Sequence, residues 1–274
     1  MTIKDKTWDK VSIESDKQSL ENISAFCNKF ILGIEQRGGC WDFYFNSGDK
    51  NSMLKILSQL KESYSFKFSV ERIKYEDWHL SWKKNFIPIH YNEDIVVIPD
   101  WDKNIYSKKH VVKIKPGMSF GTGHHETTHL MICALINLNL TGKSVLDLGF
   151  GSGILSIIAK KLGAKEVLAI ELDENCKEDI EFNLDLNDIS GEVEVSMQDA
   201  RLLETYGYDV ILANIEKNII MDLIPLIKVK DSKVILSGIL LSQKEDVLAR
   251  LTKQNFKNIC SYKKNEWICI TAEY

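Results

Sequence analysis

The chain has 274 residues, of which 44% are hydrophobic and 27% charged, with a formal net charge of −4. That length supports one large domain or two unequal ones, each with its own core, and the composition is that of an ordinary globular protein. The mildly acidic balance excludes a broad basic field for wholesale phosphate binding, so no direct nucleic-acid contact is required and a basic protein partner suits the charge. Six cysteines (Cys27, Cys40, Cys133, Cys176, Cys260 and Cys269) lie far apart with no C-x-x-C pair, the pattern of free thiols in a reducing compartment. The N-terminus MTIKDKTWDK carries no apolar signal core, and no run of about 18 apolar residues occurs, so a cytoplasmic chain outside the membrane is expected.

The first part reads as a small α+β unit. WDKVSIES alternates like a strand, and DKQSLENISAFCNKFI has helical spacing, with Leu20, Ile23, Phe26, Cys27 and Phe30 expected on one face. GIEQRGGCWDFYF predicts two strands joined near Gly38-Gly39, DKNSMLKILSQLKES a second amphipathic helix, and SFKFSVERI a fourth strand. The order β-α-β-β-α-β predicts a ferredoxin-like domain over residues 1–74. A tryptophan-rich stretch follows, with a short helix expected over Glu76–Asn85, strands around Ile87–His90 and Ile95–Ile98, and a third strand in HVVKIKP. Residues 75–115 are thus expected to join the first domain to a catalytic domain over 116–274. In that domain short, continuously apolar strands alternate with helices from Thr127 onward, the signature of a parallel sheet covered on both faces. FKNICSYKKNEWICITAEY, two strands around KKNE, predicts a terminal antiparallel hairpin.

The nonamer VLDLGFGSG carries the chemistry. A buried strand ending at Leu148 runs into Gly149, Gly151 and Gly153, and a helix begins directly after them. Glycines there let the backbone approach a ligand, and the helix start offers free N–H groups. Glu171 closes the next strand 20 residues after Gly151, the spacing at which an acid reaches ribose hydroxyls. A nucleoside-bearing cofactor follows from these residues together. Asp147, just before the loop, would repel a pyrophosphate and suit a cationic ligand, which favours S-adenosyl-L-methionine (AdoMet) over a dinucleotide. The terminal hairpin points the same way.

PGMSFGTGHHETT, VLDLGFGSGILSIIAKKLGA, ILANI and LSGIL, in this order, resemble the PrmA family of bacterial class I AdoMet-dependent methyltransferases, which act on large-subunit ribosomal protein L11. EDWHLSWKKNFIPI resembles the segment that family carries before its catalytic domain. The resemblance implies a doubly wound α/β catalytic sheet with a C-terminal antiparallel hairpin, and an N-terminal α+β domain that recognises the substrate. It implies AdoMet as cofactor, protein L11 as partner, methylation of lysine side chains or the N-terminal amine, and a monomeric enzyme. By the same resemblance Thr127, Thr128, Gly149, Gly151, Gly153, Glu171 and Asn214 would contact the cofactor. Asn214 would also lie beside the acceptor amine, and Phe120, with the Gly121–Gly123 loop, would form a lid over the reacting centre. Phe150 and Glu216 depart from the family pattern. Glu216 either attracts a lysine substrate or serves as a solvated acid at a helix start.

Other readings remain on the sequence. His125, Glu126 and His129 spell H-E-x-x-H, the zinc-protease motif. However, His125 falls at a helix start and no histidine follows His129, so no metal is expected. An NAD-dependent dehydrogenase, an idle ribosome-associated binding protein, and a methyltransferase for another protein lysine or a small-molecule amine are the further alternatives.

Overall fold

The computed structural model describes residues 7–61, 63–74, 86–117 and 119–274. By internal contacts the chain divides into two compact units, residues 1–85 and 86–274.

In the first unit, β1 (Thr7–Glu14), α1 (Lys17–Cys27), β2 (Ile31–Arg37), β3 (Cys40–Asn46), α2 (Lys50–Leu60) and β4 (Lys67–Lys74) follow the expected order. The strands form one antiparallel sheet in the order β2-β3-β1-β4. Period-two alternation sends Val11, Ile13, Trp41, Phe43 and Phe45 into one core, where they meet Leu20, Ile23 and Cys27 of α1 and Met53, Leu57 and Leu60 of α2. Two aromatic positions differ from expectation. Phe26 is 58% exposed, because its direction lies well off the stripe through Leu20, Ile23 and Cys27. Phe30 falls in the 3-10 turn Asn28–Phe30, where the helical period no longer applies.

The second unit opens with a three-stranded sheet. β5 (Ile89–His90), shorter than expected, pairs antiparallel with β6 (Ile95–Pro99), which runs parallel to β7 (His110–Ile114). Ile95, Val97, Val112 and Ile114 belong to the core of this second unit. The helix expected over 76–85 lies outside the described residues.

The main sheet has seven strands: β8 (Ser144–Leu148), β9 (Glu166–Glu171), β10 (Glu194–Met197), β11 (Val210–Asn214), β12 (Lys233–Leu240), β13 (Lys257–Lys264) and β14 (Trp267–Glu273). Their order is β10-β9-β8-β11-β12-β14-β13. The first five are parallel; β14 is antiparallel to β12, and β13 to β14. The helices are α3 (Glu126–Leu135), α4 (Ile154–Lys161), α5 (Asn175–Leu186), α6 (Lys217–Leu223) and α7 (Lys244–Lys253). Alternation splits each apolar strand between two cores. Val145, Val210 and Leu212 face α3, α4 and α5, whereas Leu146, Leu148, Ile211 and Ala213 face α6 and α7. This two-sided burial is why the strands read as unbroken apolar runs. Strand order reverses between β8 and β11, which opens a crevice at their carboxyl ends, where doubly wound sheets take ligands. Pro225 ends α6 early, and Ile224–Leu226 continue as a 3-10 turn. Among the described residues no helix is long and apolar enough to cross a membrane.

Candidate active site

The loop from Gly149 to Gly153 sits at that crevice and is held from beneath. The Gly149 and Phe150 amides donate to the Ile170 carbonyl at 2.8 and 3.2 Å. The Gly151 amide donates to Glu171 Oε2 at 3.2 Å, so the acid singled out by spacing reaches the loop that precedes it. Glu171 Oε1 accepts the Leu172 and Asp173 amides at 2.8 and 3.2 Å, which fixes the carboxylate at the end of β9. Gly151 must be glycine: its φ is +53° and a Cβ would strike the Phe120 carbonyl oxygen. Gly153, also left-handed with φ +79°, is the N-cap of α4 and lies against Ile180.

A second loop is clasped onto the first. The Ser152 amide donates to the Phe120 carbonyl at 2.8 Å, and Ser152 Oγ donates to the Gly121 carbonyl at 2.6 Å. The Tyr91 hydroxyl donates to the Gly123 carbonyl at 3.1 Å. The backbone expected as a lid is thereby tied to the glycine loop, while the Phe120 ring stays 50% exposed. That ring stands 5.0 Å from His125, whose ring stands 5.1 Å from Trp267.

Sequence reasoning missed the residues that hold both loops in register. Asp179 and Asn183 on α5 and Asn187 at its C-cap recur every four residues and so share one face. Asp179 accepts from the Ser119 hydroxyl at 2.5 Å. Asn183 accepts the Lys115 amide at 2.8 Å and donates to the Ser152 carbonyl at 2.8 Å. Asn187 exchanges hydrogen bonds with both backbone groups of Lys113. Asn183 is fully buried and Asn187 nearly so. Polar residues at this interval within an otherwise amphipathic helix were the available signal.

The motif H-E-x-x-H resolves into three unrelated contacts. His125 is the N-cap of α3, its Nδ1 accepting the Thr127 amide at 3.3 Å and lying 2.8 Å from Thr127 Oγ1. Glu126 accepts from Asn265 Nδ2 at 3.0 Å. The His129 ring packs against Tyr91, 5.0 Å between centroids. Among the described residues no group of three or more His, Cys, Asp or Glu side chains is placed to hold a metal ion.

Thr128 is fully buried and Thr127 nearly so. Asn214, at the end of β11, donates through Nδ2 to Thr128 Oγ1 at 3.4 Å, which brings these two predicted residues together. Its Oδ1 is buried without a hydrogen-bond partner. Asp147, on neighbouring β8, is fully buried. Its Oδ2 accepts from Ser156 Oγ at 2.6 Å, while Oδ1 has no partner. Burial pushes the Asp147 carboxyl up to about 6, against the opposing Ser156 hydrogen bond and with a small push from the Glu171 charge. Two buried acceptors without donors, on adjacent strands beside a glycine loop, suit a ligand that bears N–H groups. A cavity of about 400 Å³ between α3 and the terminal hairpin involves none of these residues.

A glycine loop at the switch point of a seven-stranded sheet, an acid closing the next strand and an antiparallel terminal hairpin define a class I methyltransferase. Comparison with known proteins narrows the class. The family model described as "Ribosomal protein L11 methyltransferase (PrmA)" matches residues 7–274. The ribosomal protein L11 methyltransferase of Clostridium perfringens is 31% identical over 97% of this chain and 98% of its own length. That of Ruminiclostridium cellulolyticum is 36% identical over 83% of this chain and 76% of its own. The solved structure of ribosomal protein L11 methylase from Lactobacillus delbrueckii subsp. bulgaricus superposes with a TM-score of 0.63 at 30% identity, covering 68% of this chain and 98% of that one. The chain belongs to the ribosomal protein L11 methyltransferase family.

Proposed function

We propose that this chain transfers methyl groups from AdoMet to amino groups of ribosomal protein L11, on lysine side chains, the N-terminal amine or both. The observation that carries the reading is the pair of buried, unpartnered oxygens, Asn214 Oδ1 and Asp147 Oδ1, beside a glycine loop closed by Glu171. These residues fit the cofactor. Gly149, Gly151 and Gly153 carry left-handed turns packed against Ile215, Phe120 and Ile180, so the loop offers backbone and no bulky side chain at the crevice; Glu171 suits ribose hydroxyls, and Asp147 presents a carboxylate to a cationic end. Thr127 and Thr128 brace the same region from the start of α3. When bound, AdoMet supplies a methyl group already activated on a sulfonium.

The chain's task is then positioning and exclusion of water. Asn214, held by Thr128, directs its free Oδ1 at an N–H of the acceptor amine and so orients the nitrogen lone pair. A lysine amine has a pKa of about 10.4 in water and attacks only when neutral, so the site must favour the uncharged form. Removing the amine from solvent does this. Phe120 covers the crevice with an apolar ring. The N-terminal unit is assigned to recognition of the protein substrate. Incubating the purified chain with methyl-labelled AdoMet and L11, followed by mass mapping, tests the reading. Label on L11 amines is the expected result; label absent from L11 refutes the substrate, and absence of transfer to any protein refutes the activity.

A further inference from the structure

Glu216 sits two residues beyond Asn214, at the N-cap of α6. Its carboxylate makes no hydrogen bond to the first-turn amides of that helix. It lines a groove of about 200 Å³ together with Lys217, Asn218, Gly238, Leu240, Gln243 and Trp267. That volume falls below the roughly 300–1,000 Å³ usual for small-molecule pockets and suits a single side chain.

The groove's charges are unbalanced. Lys217 Nζ is drawn away to Asp246 at 2.9 Å. Gln243 is neutral and spends its Oε1 on the Leu240 amide at 3.0 Å. Among the described residues Glu216 forms no ion pair and is exposed, so its negative charge is the one left unneutralised along the groove. Trp267 supplies an aromatic wall, the surface that best complements a cation or the methylene stem behind it. Gly238 lets β12 close directly on the segment before Glu216: its φ is +83°, and a Cβ would strike the Ile215 backbone. The groove thus joins the aromatic series Phe120–His125–Trp267 to the residues just after Asn214.

We propose that this groove takes a lysine side chain of the protein substrate other than the acceptor, with Glu216 pairing its ammonium and Trp267 lining its stem. The inference rests on the reading that the acceptor is a protein amine. Glu216 acts on capture: it draws a cationic side chain to the site and leaves the methyl-transfer step to the residues already described.

Steady-state kinetics with AdoMet and purified L11 at low ionic strength, on wild type, Glu216→Gln and Glu216→Lys, test it. Glu216→Gln is expected to raise the KM for L11 about tenfold with kcat within twofold, and Glu216→Lys to raise it further. Salt is expected to raise the wild-type KM steeply and the Gln variant's KM little. Calorimetric AdoMet binding unchanged in both variants establishes that each is folded. An unchanged KM in Glu216→Gln, or a loss confined to kcat, overturns the inference. Absence of methyl transfer by the wild type overturns instead the function on which it rests.

Discussion

Asp147 offers the most quantitative test of the site, because a fully buried carboxylate with one free oxygen strains the fold as soon as it ionises. Its carboxyl is raised from 3.8 to about 6 in the folded chain. The folded state therefore holds a proton that the unfolded state has released between those values. Stability falls as pH rises through that window and levels off above about 6. Each tenfold difference in proton affinity between the two states is worth about 1.4 kcal/mol. The penalty is then below about 1 kcal/mol at pH 4 and on the order of 3 kcal/mol at pH 7. Asp147→Asn cannot ionise, and Ser156 can still donate to its amide oxygen. Its new buried N–H group costs about 1–3 kcal/mol, but that cost does not change with pH. The stability of the variant relative to wild type should thus rise by about 2 kcal/mol between pH 4 and pH 7. In a thermal scan this is about 4–8 °C in the relative Tm of the second unit. Urea denaturation at both pH values measures it directly. A gap between wild type and variant that stays constant across this range refutes the burial argument. The same logic makes AdoMet affinity climb as pH passes about 6, where Asp147 becomes the anion that suits a cationic ligand.

Other outcomes follow from the site's contacts. Glu171→Gln should weaken AdoMet binding at least tenfold by calorimetry; wild-type affinity would sink the ribose assignment. Asn214→Ala should hold AdoMet within a few-fold of wild type while turnover falls by about two orders of magnitude; abolished cofactor binding would mean that Asn214 serves the cofactor and not the amine. Asn183→Ala strips partners from the Lys115 amide and the Ser152 carbonyl at once, at about 2–4 kcal/mol. Hydrogen exchange should then accelerate over 113–121, and unchanged protection there would show that α5 does not hold the loops.

The parts of the fold that were legible are those with a strong period. The glycine loop, its flanking strands and Glu171 stood out because strand, turn and helix chemistry agree there on one answer. The first unit's element order could be read because Trp41, Phe43 and Phe45 alternate cleanly, with buried neighbours. Period failed where it was applied past its end: Phe30 lies beyond the last turn of α1, and Phe26 off its stripe. H-E-x-x-H is set aside already on the sequence, because His125 falls at a helix start and no histidine follows His129. Its spacing is helical, but whether three side chains converge depends on what surrounds the helix, and here Thr127, Asn265 and Tyr91 each draw one away.

The polar ties were the least legible part, and they decide how the site works. No local pattern says that an asparagine on α5 will meet the backbone of a segment 68 residues earlier in the chain. Yet Asn183 joins Lys115 to Ser152, and Ser152 joins the loop at Gly149–Gly153 to the loop at Phe120–Gly123. The two bonds of Ser152 are buried and that of Lys115 partly so; breaking a buried one leaves an unpaired polar group and costs more than forming it gained. The two glycine loops therefore move as one body or not at all. Under the proposed function, cover over the crevice comes from side chains such as the exposed Phe120 ring. A site organised in this way positions its reactants before they arrive, which is what transfer of an already activated methyl group requires.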